Sequence, residues 1–419
     1  MIGGMGAAGA LGLHDGAGIG GGLAMVWQML NAKAYNVTYP ILQPESFVGE
    51  ASFYAMLKDA NVTVVKTDCH VTAAATTAST PQGDGASRIE SITVVCEPDP
   101  VTATVFIDAS YDGDVMVAAG NVDYTWGREA SSQYNESYAG ARAPSWIGVA
   151  PPHGIDALNP DGTLLKYVKN ISKLGPPGSA DDALMAFQHR LCISTGDDMV
   201  PWRKPEGYTR EDFTLMQRVL DATGSANAFT HMPPGGYRGY PGTYILMFCC
   251  SLSNRESAQE HRWGTLRPPP PPSVFSRDGS LLLPFMLTRA MLMPSSFHCF
   301  KGPKKKYDLC CGISVVASDQ PNINKGWANA SWEERKLIHA DHTYFEMGTF
   351  YYLANDPAVP QAIREQYSAY GLCKDEFVGN NNIPYQVRKR TPVQPTSIVS
   401  LFARGGTVAA TFLRLSCAC

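Results

Sequence analysis

The chain has 419 residues, 44% of them apolar and only 17% charged. A soluble protein carries about 25% charged residues on average, so long acidic or basic tails are excluded, while the apolar share suffices for two or three cores. Lys and Arg total 34 against 38 Asp and Glu, a net charge of -4, which excludes the basic footprint of a nucleic-acid binder.

The first 22 residues are mostly Gly, Ala and Leu. Residues 23–35 then place Leu23, Met25, Val26, Trp27 and Leu30 at helical spacing, and a second helix is expected over Phe47–Asp59, opened by Ser46. Val62–Val65, Ile89–Val95 and Val101–Ile107 read as strands by β-branching, with Gly83-Asp84-Gly85 as a turn before the second. From Pro144 to Pro234 the chain is loop-rich, with helices expected over Asp181–His189 and Arg210–Ala222. Pro241–Pro303 has no sustained period of 2 or 3.6 and contains five consecutive prolines, Pro268–Pro272, so it reads as an irregular insertion or a proline-rich linker. Order returns at Lys304. Ser331 with Glu333 and Glu334 marks a helix start, Asn355-Asp356-Pro357 its stop. A further helix is expected from Ala362 to Tyr370, closed by Gly371. The last 33 residues, Val387–Cys419, show no dependable pattern.

The longest apolar run, Leu281–Met293, is interrupted by Pro284, Thr288 and Arg289 and falls short of the roughly 20 residues a spanning helix needs. No membrane partner is expected, and the opening Met1-Ile2-Gly3-Gly4 has neither the basic nor the apolar region of a secretory signal. The 11 cysteines lack paired CxxC knuckles, so free buried thiols are expected rather than zinc. Five N-x-S/T sequons, at Asn36, Asn61, Asn135, Asn170 and Asn329, point the other way on compartment.

Gly16, Gly18 and Gly21 match G-x-G-x-x-G, but no β-branched strand precedes them and no acid follows at the spacing a ribose needs. A flexible glycine-rich connection is the better reading. Another set of motifs reaches further. Val105–Ile107 runs into Asp108-Ala109-Ser110-Tyr111-Asp112-Gly113-Asp114, followed by Gly127-Arg128-Glu129. With the opening Gly3-Gly4-Met5 and Gly12-Leu13-His14-Asp15, and with Lys306-Tyr307-Asp308-Leu309, His342, Gly371–Phe377 and Pro384-Tyr385-Gln386, this resembles the FAD-dependent oxidoreductase family related to heterodisulfide-reductase A-type flavoproteins, often labelled xanthan-lyase-like. The resemblance covers about residues 1–240 and 304–386. Family members carry a strand, a true G-x-G-x-x-G and a helix before the G-G-M loop, and a closing FAD segment after P-Y-Q. Neither matches here, so the chain resembles the middle of a flavoprotein, with an insertion and a substituted tail.

The resemblance implies an α/β fold: a truncated Rossmann-type FAD domain over residues 1–143, an inserted α+β substrate-side region with a helical C-terminal part over 144–240 and 304–386, the insertion 241–303 and an irregular tail 387–419. It implies FAD as cofactor and hydride transfer between the flavin and a small or sugar-like organic substrate. Gly3, Gly4, Met5, Asp108, Gly113, Asp114 and Arg128 are the implied cofactor contacts. Asp108 and Asp114 equally suit turn-making and helix capping, and Arg128 a salt bridge. His14 and Tyr111 are weak catalytic candidates. His339 and His342 share a helix face beside Asp341, yet lack a third spaced ligand, so no metal is expected. The run Lys301, Lys304, Lys305, Lys306 reads as a solvated boundary. Two other functions remain open: a non-catalytic flavoprotein scaffold that binds no cofactor, and a polysaccharide lyase or hydrolase-associated protein using paired carboxylates such as Asp112 and Asp114.

Overall fold

The computed structural model describes residues 3, 4, 7, 22–42, 44–64, 69–77, 87–120, 124, 126–141, 154–168, 175–184, 187–223, 306–309, 323–385, 387–389, 399–404 and 407–412. The chain divides into two units, Met1–Gly236 with Gly302–Cys419, and Tyr237–Lys301. The second unit and the whole expected insertion 241–303 lie outside the described residues.

Helices α1 (Gly22–Ala34) and α2 (Ser46–Asp59) pack together. Trp27 of α1 stacks on Phe53 of α2 at 5.2 Å and donates its indole N–H to Gly49 O. The residue before α2 is Glu45, and Ser46 sits inside the helix with its hydroxyl buried and without a partner among the described residues, so Ser46 does not cap as expected. Strands β1 (Val71–Thr76), β2 (Ile89–Val94) and β3 (Val101–Thr102) form an antiparallel meander. Cys69 and Cys96, just outside β1 and β2, are joined by a disulfide. β1 escapes sequence reading because Val-Thr-Ala-Ala-Ala-Thr carries little bulk and is exposed at half its positions. Conversely, Val62–Val64 form no strand, and Val101–Ile107 shrinks to two residues. The reason is the same in both cases: no neighbouring strand takes up their backbone groups among the described residues, and Ile107 remains 79% exposed.

The short helix α3 (Asp114–Ala119) rests on β1. Beyond it, β4 (Phe187–His189) replaces part of the helix expected over Asp181–His189, pairing with β9 (Val387–Lys389). A four-stranded sheet follows in the order β6-β8-β5-β7, from β5 (Leu191–Ser194), β6 (Met199–Val200), β7 (Tyr307–Leu309) and β8 (Gly371–Cys373). Every pairing among the described strands is antiparallel. The mixed helix and sheet content is consistent with an α/β FAD-binding fold.

The main core lies where this sheet meets α4 (Thr214–Thr223), α5 (Trp332–Asn355) and α6 (Gln361–Ser368). Leu191, Ile193, Phe213, Met216, Leu220, Phe350, Leu353 and Tyr367 are almost fully buried there. A short 3₁₀ turn, Arg210–Phe213, leads into α4. α5 starts as read: Ser331 accepts from Glu334 N while Glu334 Oε2 accepts from Ser331 N at 2.7 Å, a reciprocal capping box. Gly371 does not close α6; it begins β8, where its Cα lies against the Val200 carbonyl, too close for any side chain. The tail expected to be irregular carries β9 and a hairpin of β10 (Val399–Arg404) and β11 (Thr407–Phe412).

The free-thiol expectation fails for four cysteines: besides Cys69–Cys96, Cys192 of β5 and Cys373 of β8 are bonded across a separation of 181 residues. The solvated reading also fails for Lys306. Its side chain is 4% exposed and meets Glu45 at 2.5 Å, Asp375 at 3.0 Å and Glu376 at 3.0 Å. Among the described residues no helix is long and apolar enough to cross a membrane.

Candidate functional site

One face of α5 organises the site. Arg335, His339, His342 and Glu346 follow one another at spacings of four, three and four, which stack side chains along a single stripe.

At the N-terminal end of the stripe, Arg335 gathers the loop that precedes α3. Its Nη1 donates to Asp114 Oδ1 at 2.9 Å and lies 3.8 Å from Asp112 Oδ2. Trp327 donates its indole N–H to the same Asp112 oxygen at 3.2 Å. Asp112 and Asp114 therefore act as anchors of the loop onto α5. Asp108 holds the loop from within. Its Oδ1 accepts from Ser110 N and Oγ, and its Oδ2 accepts from Val115 N at 2.9 Å and Met116 N at 3.2 Å. Asp114 N donates to Ser110 Oγ. Gly113 adopts φ +70°, the left-handed turn that leads into α3.

The opening glycines come to this loop. Gly4, at φ +51°, points the position of a missing Cβ at the Tyr111 hydroxyl, 2.5 Å away, and a side chain at Gly3 would collide with Phe53. Tyr111 itself is 60% exposed. Met5 and His14 lie outside the described residues, as does the glycine run 16–21. Arg128 is elsewhere occupied: it grips Asp181 through Nε at 2.7 Å and through Nη2, and the two residues also exchange backbone hydrogen bonds.

At the C-terminal end of the stripe is a buried group that sequence reading reached only in part. Glu346, with no exposed surface, accepts from His189 N at 2.7 Å and meets His189 Nδ1 at 2.8 Å. His189 Nε2 lies 3.2 Å from His339 Nε2. A chain of proton-sharing groups thus runs from buried Glu346 through His189 to half-buried His339, one helical turn from Arg335. Burial pushes the Glu346 carboxyl above the usual carboxylate range, and His189 pulls it partly back. Burial and the neighbouring His189 push His339 down to about 4, so its imidazole is neutral at physiological pH. His342 is fully buried beside Phe187. Burial, then His189 and His339, push it down to about 3, while the Phe187 backbone pulls its imidazole partly back up. Asp341 accepts from Tyr167 at 2.9 Å. No group of three or more His, Cys, Asp or Glu converges on a metal-sized site among the described residues. His189 and Glu346 were not singled out in the sequence; the signal available was the spacing His339, His342, Glu346, which continues one helix face.

The profile of the FAD dependent oxidoreductase family matches residues 1–256. The chain belongs to that family. Its cofactor is FAD. No curated protein and no solved structure matches the chain.

The first amides of α3 are already held by Asp108 and Ser110, so this turn presents no open row of N–H groups to a diphosphate. The Gly3–Gly4 turn instead packs its bare backbone against Phe53 and the Tyr111 hydroxyl, beside an exposed aromatic ring.

Proposed function

We propose that this FAD-dependent oxidoreductase transfers a hydride between a small, sugar-like organic substrate and its flavin. The carrying observation is the meeting of Gly4 and Tyr111, two motifs about a hundred residues apart that the family match spans together. Bound FAD supplies the two-electron acceptor; the chain supplies position and proton handling. Gly3, Gly4 and Tyr111 would hold the flavin, and Gly113 makes the turn that leads from Tyr111 into α3. Arg335 holds that turn through Asp112 and Asp114, so it is a positioning residue. His339, neutral and hydrogen-bonded into the Glu346–His189 pair, is a group on α5 able to take the proton of a substrate hydroxyl. Asp108 and Arg128 belong to the frame around the site, through their bonds to α3 and to Asp181.

The test is purification with flavin followed by anaerobic addition of candidate alcohols and sugars. Flavin absorbance should be present and should bleach with substrate. An Arg335→Ala variant that remains folded should lose flavin on gel filtration, whereas Arg335→Lys should retain part of it. A protein that stays colourless after reconstitution, or an Arg335→Ala variant that holds flavin as tightly as the parent, would refute the proposal.

A further inference from the structure

The described asparagines include five built into the fold and four at sequons; of the other two, Asn324 is buried and Asn381 is exposed without a sequon. Asn31, Asn159, Asn355, Asn380 and Asn382 each donate Nδ2 to the fold, and Asn382 reaches the carbonyls of Cys373, Lys374 and Glu376. None of these five is followed two residues later by Ser or Thr. Asn36, Asn61, Asn135 and Asn329 are the opposite. Each is exposed, each has Nδ2 without a hydrogen-bond partner among the described residues, and each begins an N-x-S/T sequon. Asn170, the fifth, lies outside the described residues.

Backbone geometry accounts for part of this. Asn36 and Asn61 follow the last turns of α1 and α2 at φ +53° and +54°, and Asn135 sits in a turn at φ +56°, conformations that asparagine tolerates well. That explains three of the asparagines; Ser331, the hydroxyl residue of the Asn329 sequon, already serves as the α5 N-cap, whereas the hydroxyl residues after Asn36 and Asn61 have no such role. Thr38 and Thr63 are exposed, and neither hydroxyl is hydrogen-bonded among the described residues. A second, independent feature points to the same compartment. Cys192 and Cys373 have no exposed surface and bridge two neighbouring strands of the core sheet, and Cys69–Cys96 ties the ends of the meander. Such bonds persist where the environment is oxidising and are rare where thiols are kept reduced.

We infer that this chain matures in an oxidising, glycosylating compartment and carries N-linked oligosaccharides on Asn36, Asn61, Asn135 and Asn329. The donor is an oligosaccharide on a lipid diphosphate. Asn Nδ2 loses a proton and bonds to sugar C1, the C1–O bond breaks, and the lipid diphosphate leaves. Each disulfide forms as two thiols give two protons and two electrons to a disulfide oxidant, which departs as a dithiol. The four carrier asparagines lie on turns, where a bulky polar chain projects into solvent without disturbing the core.

The experiment uses the protein purified from its own cells. Peptide mapping after enzymatic release of N-glycans, which turns each carrier Asn into Asp, should find conversion at the four sites. Alkylation without reductant should leave Cys192 and Cys373 unlabelled, and labelling should appear once the denatured chain is reduced. The inference stands if Asn36, Asn61, Asn135 and Asn329 are converted and the cysteine pair is blocked. It falls if any of the four is unmodified or if the pair alkylates without reductant. Both readouts are independent of bound flavin, so they separate this inference from the proposed activity.

Discussion

Replacing His342 by Leu tests whether the α5 stripe holds a neutral, buried imidazole. In the folded protein His342 protonates only near pH 3, whereas an unfolded histidine does so near 6.5. A group with a lowered folded value leaves the unfolded state binding more protons as pH falls, so stability is lost on acidification, starting below 6.5 and ending near 3. Between pH 7 and pH 5 the unfolded histidine gains its proton and the folded one does not, a loss of about 2 kcal/mol at roughly 1.4 kcal/mol per pH unit. The groups that titrate beside it behave differently. Glu346, raised by burial, takes its proton earlier in the folded state and opposes the loss, while His339, lowered to about 4, adds to it. These are shared by parent and variant, so the difference between their two pH profiles isolates His342. Urea unfolding at pH 7 and pH 5 should show the parent losing about 2 kcal/mol more than His342→Leu over that interval. Equal losses would mean that His342 is charged in the native protein, and the picture of the stripe would be wrong.

Lys306→Met would leave Glu45 and Glu376 buried beside each other without their cation, and unfolding stability should drop by about 3–5 kcal/mol. Burial alone would lower the Lys306 ammonium, but Glu376, Glu45 and Asp375 outweigh it and hold it above the usual lysine range, so the ion group should survive mild alkali. Gly371→Ala drives a methyl into the Val200 carbonyl at the β6–β8 pairing, and a loss of about 3 kcal/mol in urea melts is expected. Ser331→Ala removes one half of the α5 capping box and should cost about 1 kcal/mol, with Ser331→Asp close to the parent.

Helices α1, α2 and α5 were legible because their signals are local: apolar spacing in the first, a run bounded by Ser46 and Asp59 in the second, and Ser331 with Glu334 three residues on in the third. The family signature was legible for a related reason, since the Asp108–Asp114 loop keeps its own hydrogen bonds within nine residues of chain. What sequence could not decide was which residues meet across long separations. Nothing near Lys306 announces Glu45 and Glu376, and nothing near Cys192 announces Cys373. Phe187–His189 is a strand rather than a helix because β9, about 200 residues away, pairs with it, while Glu346 takes the His189 amide and ring together. Val101–Ile107 has the composition of a strand, yet most of it stays unpaired among the described residues, because a strand exists only when a neighbour accepts its backbone hydrogen bonds. Local chemistry determined helix starts and turns. Burial and pairing, which depend on the whole chain, decided the disulfides, the ion group under α2 and the histidine stripe.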